Sequence, residues 1–311
     1  MSAHVLVTGG AGYIGAILTE HLLAAGHTVT VVDNLRSGGG SLGHLCADQR
    51  FDFVRGDVRD EPLMRTLVAR ADVIVPLAAI VGAPACDREP DLALALNLEA
   101  IRLLDRVRRP RQLVIFPTTN SGYGTQMNST PCDEDTPLEP ISLYARTKMQ
   151  AEAALLDRGD VISLRLATAF GMSPRMRIDL LVNHFVYEAV TAGQLTIFEK
   201  DFMRNFVHVR DIADCVLHCL EHAGRMTGRA YNVGLDAANL SKEALALRIK
   251  AHLPHFCVRF ASVGRDPDQR NYVVSNARIR QQGFEARRGL DEGIQELIKG
   301  YRMMPQMSRP T

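Results

Sequence analysis

Val5-Leu6-Val7-Thr8-Gly9-Gly10-Ala11-Gly12-Tyr13-Ile14-Gly15 reads as an apolar strand running into a glycine turn and then into a helix. Gly9 allows a tight turn off the strand, Gly12 lets the backbone approach a pyrophosphate, and Gly15 lets the new helix pack closely on the sheet. The phosphates then meet a helix N-terminus, where unpaired N–H groups and the positive dipole end favour an anion. Ile14, Ile17, Leu18, Leu22 and Leu23 recur at helical spacing until Gly26. A second strand over 28–32 ends in Asp33, followed by Asn34. A carboxylate there suits the adenosine ribose hydroxyls and repels a 2′-phosphate, which favours NAD over NADP, with Arg36 as the one opposing charge nearby.

Working outward, strands alternate with helices through the first half. Phe51-Asp52-Phe53-Val54 leads to Gly56-Asp57-Val58, and the run 72–79 is a buried strand ending in Leu77-Ala78-Ala79. The segment 92–107 reads as one helix and 112–116 as a strand. Such alternation predicts an α/β fold: a Rossmann-type, doubly wound parallel sheet covered on both faces. In these sheets ligands bind beyond the C-terminal strand ends, where Asp57, Ala78, Ala79 and Thr119 fall. Beyond residue 170 come an arginine-rich loop, a short strand at 195–198 and helical pieces at 211–223, 241–253 and 291–302. The expected division is a NAD-binding Rossmann domain over 1–170 and a smaller, mostly helical substrate-binding lobe over 171–311, with some strand exchange.

Composition bounds the partners. A net charge of +1 over 311 residues points to neither nucleic acid nor an acidic membrane surface. No apolar run is long enough to span a bilayer and the start lacks a signal-peptide pattern, so a cytoplasmic protein is expected. The six cysteines are too scattered for a disulfide framework. Cys215, His218, Cys219 and His222 fall within one helical stretch, which cannot easily surround zinc tetrahedrally, so they read as core residues and no metal is expected.

Tyr144-Ala145-Arg146-Thr147-Lys148 supplies the second decisive pattern. On a helix Tyr144 and Lys148 share one face, near the nicotinamide ribose if the glycine turn holds NAD. A tyrosine is a poor base at neutral pH, and a neighbouring ammonium together with a positive nicotinamide ring favours its phenolate.

With these motifs in place, the chain resembles the extended short-chain dehydrogenase/reductases of the NAD-dependent nucleotide-sugar epimerase/dehydratase family. The similarity runs over nearly the whole length: Thr8 to Gly15, Asp57-Val58, Leu77-Ala78-Ala79, Asn97, Thr119 ahead of Tyr123-Gly124, Tyr144 with Lys148, the run 204–211, and Tyr231-Asn232-Val233-Gly234. The resemblance implies that Tyr144 takes a proton from a sugar hydroxyl, that Thr119 holds the same oxygen, and that Lys148 also holds the ribose. It places Gly9, Gly12, Tyr13, Ile14, Gly15, Asp33, Asn34, Asp57, Val58, Leu77, Ala78, Ala79 and Asn97 against NAD. It implies substrate contacts from Gly82, Asn120, Ser121, Thr168, Arg175, Arg177 and Asn183, with Arg204 and Arg270 as diphosphate readers, since a guanidinium fork suits phosphate.

Departures from the family pattern narrow the reaction. Where 4,6-dehydratases carry Asp-Glu after the threonine, this chain has Asn120-Ser121, which cannot supply a carboxylic acid. Thr168 stands where many members have asparagine. The runs 76–84, 119–124 and 171–177 are similar to those of enzymes that oxidise GDP-D-glycero-α-D-manno-heptose at C4. The expected substrate is therefore a nucleotide-diphosphate sugar, with a GDP-sugar favoured, and the expected reaction is oxidation at C4. A 4-epimerase with recycled NAD uses the same residues, and a dinucleotide sensor without turnover is the third reading. Similar enzymes are homodimers built on the Tyr144 helix and 92–107, where Leu92, Leu96, Ile101 and Leu104 could supply apolar contacts, although a monomer core would need such residues as well.

Overall fold

The computed structural model describes residues 2–126, 130–261 and 270–304. Among them the strands are β1 (His4–Thr8), β2 (Thr28–Asp33), β3 (Phe51–Arg55), β4 (Val73–Pro76), β5 (Leu113–Thr119), β6 (Val161–Leu166), β7 (Thr168–Phe170), β8 (Gln194–Phe198), β9 (Met203–His208), β10 (Arg229–Val233), β11 (Asn239–Ser241) and β12 (Cys257–Ala261). Seven of them form one all-parallel sheet in the order β10-β6-β5-β4-β1-β2-β3. Successive residues of a strand point to opposite faces, so a sheet covered on both sides needs apolar residues throughout. Val5, Val7, Val29, Val31 and Val73 pack into one core, while Leu6, Val32, Ile74, Val114 and Phe116 pack into the other. Strand order reverses between β1 and β4, and in parallel sheets of this kind ligands bind beyond the strand ends at such a switch point.

The chain after residue 170 builds two further small sheets, β11-β9-β7 and β12-β8, among the helices Leu181–Thr191, Val209–Glu221, Lys242–His252 and Leu290–Met303. It also returns to the first sheet: β10 pairs with β6, and the helix Val209–Glu221 packs on the helix Tyr13–Ala24. His21 on the latter reaches Asp214 on the former at 3.0 Å. One apolar cluster accordingly runs from Val5 to Tyr301.

Two local expectations are corrected. The stretch 92–107 is not one regular helix but Pro90–Leu94, a π-helical turn Ala95–Glu99, and Ala100–Val107. π turns commonly mark functional sites, and Asn97 lies in this one. Leu96, Ile101 and Leu104 are each below 8 % exposed and pack in the chain's own core, so they present no surface to a second copy. No helix among the described residues is long and apolar enough to cross a membrane.

Candidate active site

The glycine turn forms the cradle its spacing predicts. Gly9 leaves β1 at φ +69°, and a Cβ there would lie 2.6 Å from the backbone nitrogen of Ala78. A Cβ on Gly15 would lie 2.5 Å from the Cα of Gly10, so the first helical turn sits directly on the turn before it. Gly12 begins the helix Tyr13–Ala24 without a side-chain cap, and the first turn carries no acid. The exposed ends of those N–H groups fit a dinucleotide pyrophosphate. Asp33 is fixed at the end of β2, its two oxygens accepting Ala11 N–H at 3.0 Å and Leu35 N–H at 2.8 Å. Asn34 donates to Asp57 at 3.3 Å. Arg59 grips the same carboxylate and, with Asn34 adding to the effect, holds Asp57 down at about 2. Beside it Val58 is buried. Leu77 and Ala78, followed by Ala79, are tied to Thr8 by N–H bonds of 2.9 and 3.2 Å.

Two residues expected against the cofactor are spent elsewhere. The Tyr13 hydroxyl donates to the Gly171 carbonyl at 2.7 Å and accepts from Asn183 at 3.3 Å, so only its backbone, like that of Ile14, belongs to the cradle. Asn97 is 1 % exposed. Its amide brackets the Ile80 backbone, accepting N–H and donating to C=O at 2.9 Å each, and reaches Thr147 at 3.4 Å. It therefore fixes the loop after β4 against the helix that carries Tyr144.

That helix, Leu143–Arg158, begins where the Ser142 hydroxyl accepts Ala145 N–H at 3.1 Å. Lys148 is almost wholly buried; its Nζ donates to the Pro117 carbonyl at 2.8 Å and stands 4.1 Å from the Phe116 ring centre. Burial pulls its ammonium down to about 7, against the support of Glu152 one turn later. Thr119 closes β5, and its Oγ1 lies 2.7 Å from Ser121 Oγ and accepts Ser121 N–H at 3.1 Å. The Tyr144 phenol is pushed up to about 12 by burial, while the Arg177 and Arg270 guanidiniums and a hydrogen bond with Thr119 pull it back. These two arginines are the leading cations acting on the phenol, because the Lys148 ammonium is turned onto Pro117.

The substrate-side residues divide. Arg270 donates to Ser121 Oγ and, at 3.2 Å, to the Tyr272 hydroxyl. Tyr272 in turn donates to Asn120 Oδ1 at 2.8 Å. Arg204 donates to the Arg270 backbone carbonyl and so supports that segment. Arg177 makes two bonds to Asp179, of 2.6 and 2.5 Å, and lies within electrostatic reach of Tyr144. Gly82 begins the helix Ala83–Arg88, and Thr168 opens β7 half-buried. Two others are drawn away. Arg175 donates to the Ser37 carbonyl at 2.9 Å, in the loop after Asp33. Asn183 is fully buried and spends its amide on Gly171 N–H, Tyr13 and the Arg177 carbonyl, which leaves it no surface for a sugar nucleotide. Sequence reasoning missed Tyr272, which stands in no motif and reaches Asn120 only through the fold.

Comparison with known proteins agrees with this geometry. The NAD dependent epimerase/dehydratase family matches residues 5–234. UDP-glucose 4-epimerase of Mycolicibacterium smegmatis is 30 % identical over 97 % of this chain and 99 % of its own length. A dTDP-glucose 4,6-dehydratase of an Actinoplanes species is 29 % identical over 96 % and 97 % of the two chains. The crystal structure of DesIV, a dTDP-glucose 4,6-dehydratase from Streptomyces venezuelae solved with NAD, superposes with a TM-score of 0.84 at 26 % identity, covering 96 % of this chain and 97 % of that one. The chain belongs to the NAD-dependent epimerase/dehydratase family, and its cofactor is NAD.

Proposed function

We propose that this protein oxidises a nucleotide-diphosphate sugar at C4 to the 4-keto sugar. The observation that carries the reading is the cluster of Thr119, Tyr144 and Lys148 at the open end of β5, across the switch point from the glycine cradle. Bound NAD supplies a hydride acceptor and a positive ring. Tyr144 takes the proton from the C4 hydroxyl, helped by the positive field of Arg177 and Arg270. Thr119 donates a hydrogen bond to that same oxygen as it becomes a ketone. Lys148, anchored on Pro117, holds the cofactor ribose and keeps a proton source one helical turn from Tyr144. Asn120 and Ser121 are both buried and neither is an acid, so this site lacks the carboxyl pair that removes water in the 4,6-dehydratases.

The substrate in this proposal is GDP-D-glycero-α-D-manno-heptose or a related GDP-sugar. Its support is the likeness of the runs 76–84, 119–124 and 171–177 to enzymes of that substrate, whereas the relatives named above act on UDP-glucose and dTDP-glucose. The 30 % identity with a UDP-glucose 4-epimerase favours a second reading, in which the hydride returns to the opposite face and NAD is recycled. Absorbance at 340 nm, followed separately with GDP-heptose, GDP-mannose and UDP-glucose and paired with NMR of the products, tests both. A lasting rise with released 4-keto sugar is the expected result. A C4-inverted product without a lasting rise establishes the epimerase, and no change with any sugar nucleotide removes the proposal. The homodimer is part of the same reading, and a monomer by light scattering would remove it.

A further inference from the structure

The hydrogen bonds around Thr119 have a direction, and Arg270 sets it. A guanidinium donates and never accepts. Arg270 donates to Ser121 Oγ, so the Ser121 hydroxyl hydrogen points away from the cation, towards Thr119 Oγ1 at 2.7 Å. Thr119 Oγ1 also accepts Ser121 N–H at 3.1 Å. With both lone pairs engaged, its own hydrogen is left to donate into the site, to the Tyr144 phenol until a substrate oxygen takes its place. The opposite arrangement would bury the Ser121 hydrogen without an acceptor among the described residues, at a side chain 2 % exposed.

The same guanidinium sets a second chain. Arg270 donates to the Tyr272 hydroxyl at 3.2 Å, and Tyr272 donates to Asn120 Oδ1 at 2.8 Å. This fixes the amide with its oxygen towards Tyr272. The Asn120 Nδ2, buried in a residue 1 % exposed, then has no partner among the described residues. It is a donor prepared for an acceptor that the chain does not provide.

We propose that Arg270 is a positioning residue that, through Ser121 and Tyr272, makes Thr119 and Asn120 outward hydrogen-bond donors, one to the reacting C4 oxygen and one to a neighbouring sugar oxygen. A pocket polarised this way favours an oxyanion over a hydroxyl at the reacting position. It also selects substrates that carry an acceptor oxygen beside C4. The inference rests on the C4-oxidation reading, since that reading makes Tyr144 the base.

The test is a tyrosinate titration at 295 nm of the NAD-loaded protein, with Tyr144 isolated by subtracting the Tyr144→Phe variant. The chain has no tryptophan to obscure the signal. Ser121→Ala removes the donor to Thr119, which can then turn its hydrogen back. The Tyr144 step should rise by roughly half to one pH unit, the worth of one hydrogen bond. Tyr272→Phe leaves the Ser121 chain in place and should not move the step. With UDP-glucose or GDP-mannose as probe in calorimetry, Tyr272→Phe should weaken binding about three- to tenfold by freeing the Asn120 amide to turn. An unshifted Tyr144 step in Ser121→Ala, or equal shifts in both variants, overturns the relay. Absence of any Tyr144 step or turnover in the unaltered protein strikes instead at the C4-oxidation reading.

Discussion

A methyl group added at Gly15 would meet backbone on every side: the Gly10 Cα at 2.5 Å, the Gly9 carbonyl at 2.6 Å and the Gly10 carbonyl at 2.7 Å. Backbone cannot rotate aside as a side chain can, so Gly15→Ala must lift the helix from the turn. The expected outcome is at least about a tenfold loss of NAD affinity, about 1.4 kcal/mol, in a calorimetric titration. Wild-type affinity in that variant would mean that the cradle does not hold the pyrophosphate. At Lys148 the sign of a pH effect can be worked out. Burial lowers the ammonium from 10.5 in the unfolded chain to about 7 in the folded one. Between those values the unfolded state binds a proton that the native state does not, so stability of the cofactor-free protein rises with pH across that window. Lys148→Met should flatten the rise in urea denaturation. The places of Asp33, Thr119, Tyr144 and Lys148 at strand ends and on one helix are legible because each stands in a local pattern. The partners of Tyr13, Asn97 and Asn183 are not, because what a buried amide or phenol bonds is decided by distant backbone such as Ile80 and Gly171.

The helix Leu143–Arg158 is held to β6 by a buried charge pair as well as by apolar contact. Glu152 accepts from Arg165 Nε at 3.0 Å and Nη2 at 2.7 Å, and from the Ser163 hydroxyl at 2.6 Å. Arg165 goes on to the Tyr123 hydroxyl at 3.1 Å, which donates to Asn232 on β10 at 2.7 Å. Glu152→Gln would leave the guanidinium buried and unneutralised. A loss of about 3 kcal/mol is expected in chemical denaturation, and Glu152→Met with Arg165→Met should recover much of it. If the single substitution costs less than the double, the pair is not what fastens this helix. Strands β1 to β5 could be read in advance because each is a short apolar run closed by a turn signal. β10 could not be placed, since Arg229–Val233 enters the sheet only through its pairing with β6. The π turn at Ala95–Glu99 was equally hidden, because the apolar spacing continues through it and only the Asn97 bracket shows why the helix widens.

Across the whole molecule, a half-buried staple adds to the apolar core in fastening the part of the chain beyond residue 170 near the glycine cradle. His208 Nδ1 accepts Arg210 N–H at 3.2 Å, so Nε2 carries the proton and donates to Glu296 at 2.7 Å. The other oxygen of Glu296 accepts Met172 N–H at 3.0 Å. One carboxylate thus joins the end of β9, the helix Leu290–Met303 and the turn after β7. That turn contains Gly171, whose carbonyl receives the Tyr13 hydroxyl, so the staple lies two bonds from the cofactor turn. Burial alone would raise the Glu296 carboxyl, but His208, with help from Met172 N–H and Arg210, leaves it below its ordinary 4.5. The native state then binds fewer protons than the unfolded state in the carboxylate range. Its contribution is present above the unfolded value and is lost as pH falls through the depressed one. Glu296→Gln should therefore be less stable than the unaltered protein at neutral pH, by about 1 to 2 kcal/mol, the worth of a hydrogen bond to a charged group. The gap should narrow at an acid pH below the ordinary 4.5, as the native carboxylate takes up its proton. Urea denaturation of both proteins at the two pH values reads this directly. Two curves that stay parallel would show that the staple does not titrate, and that the acid sensitivity of the fold has its source elsewhere.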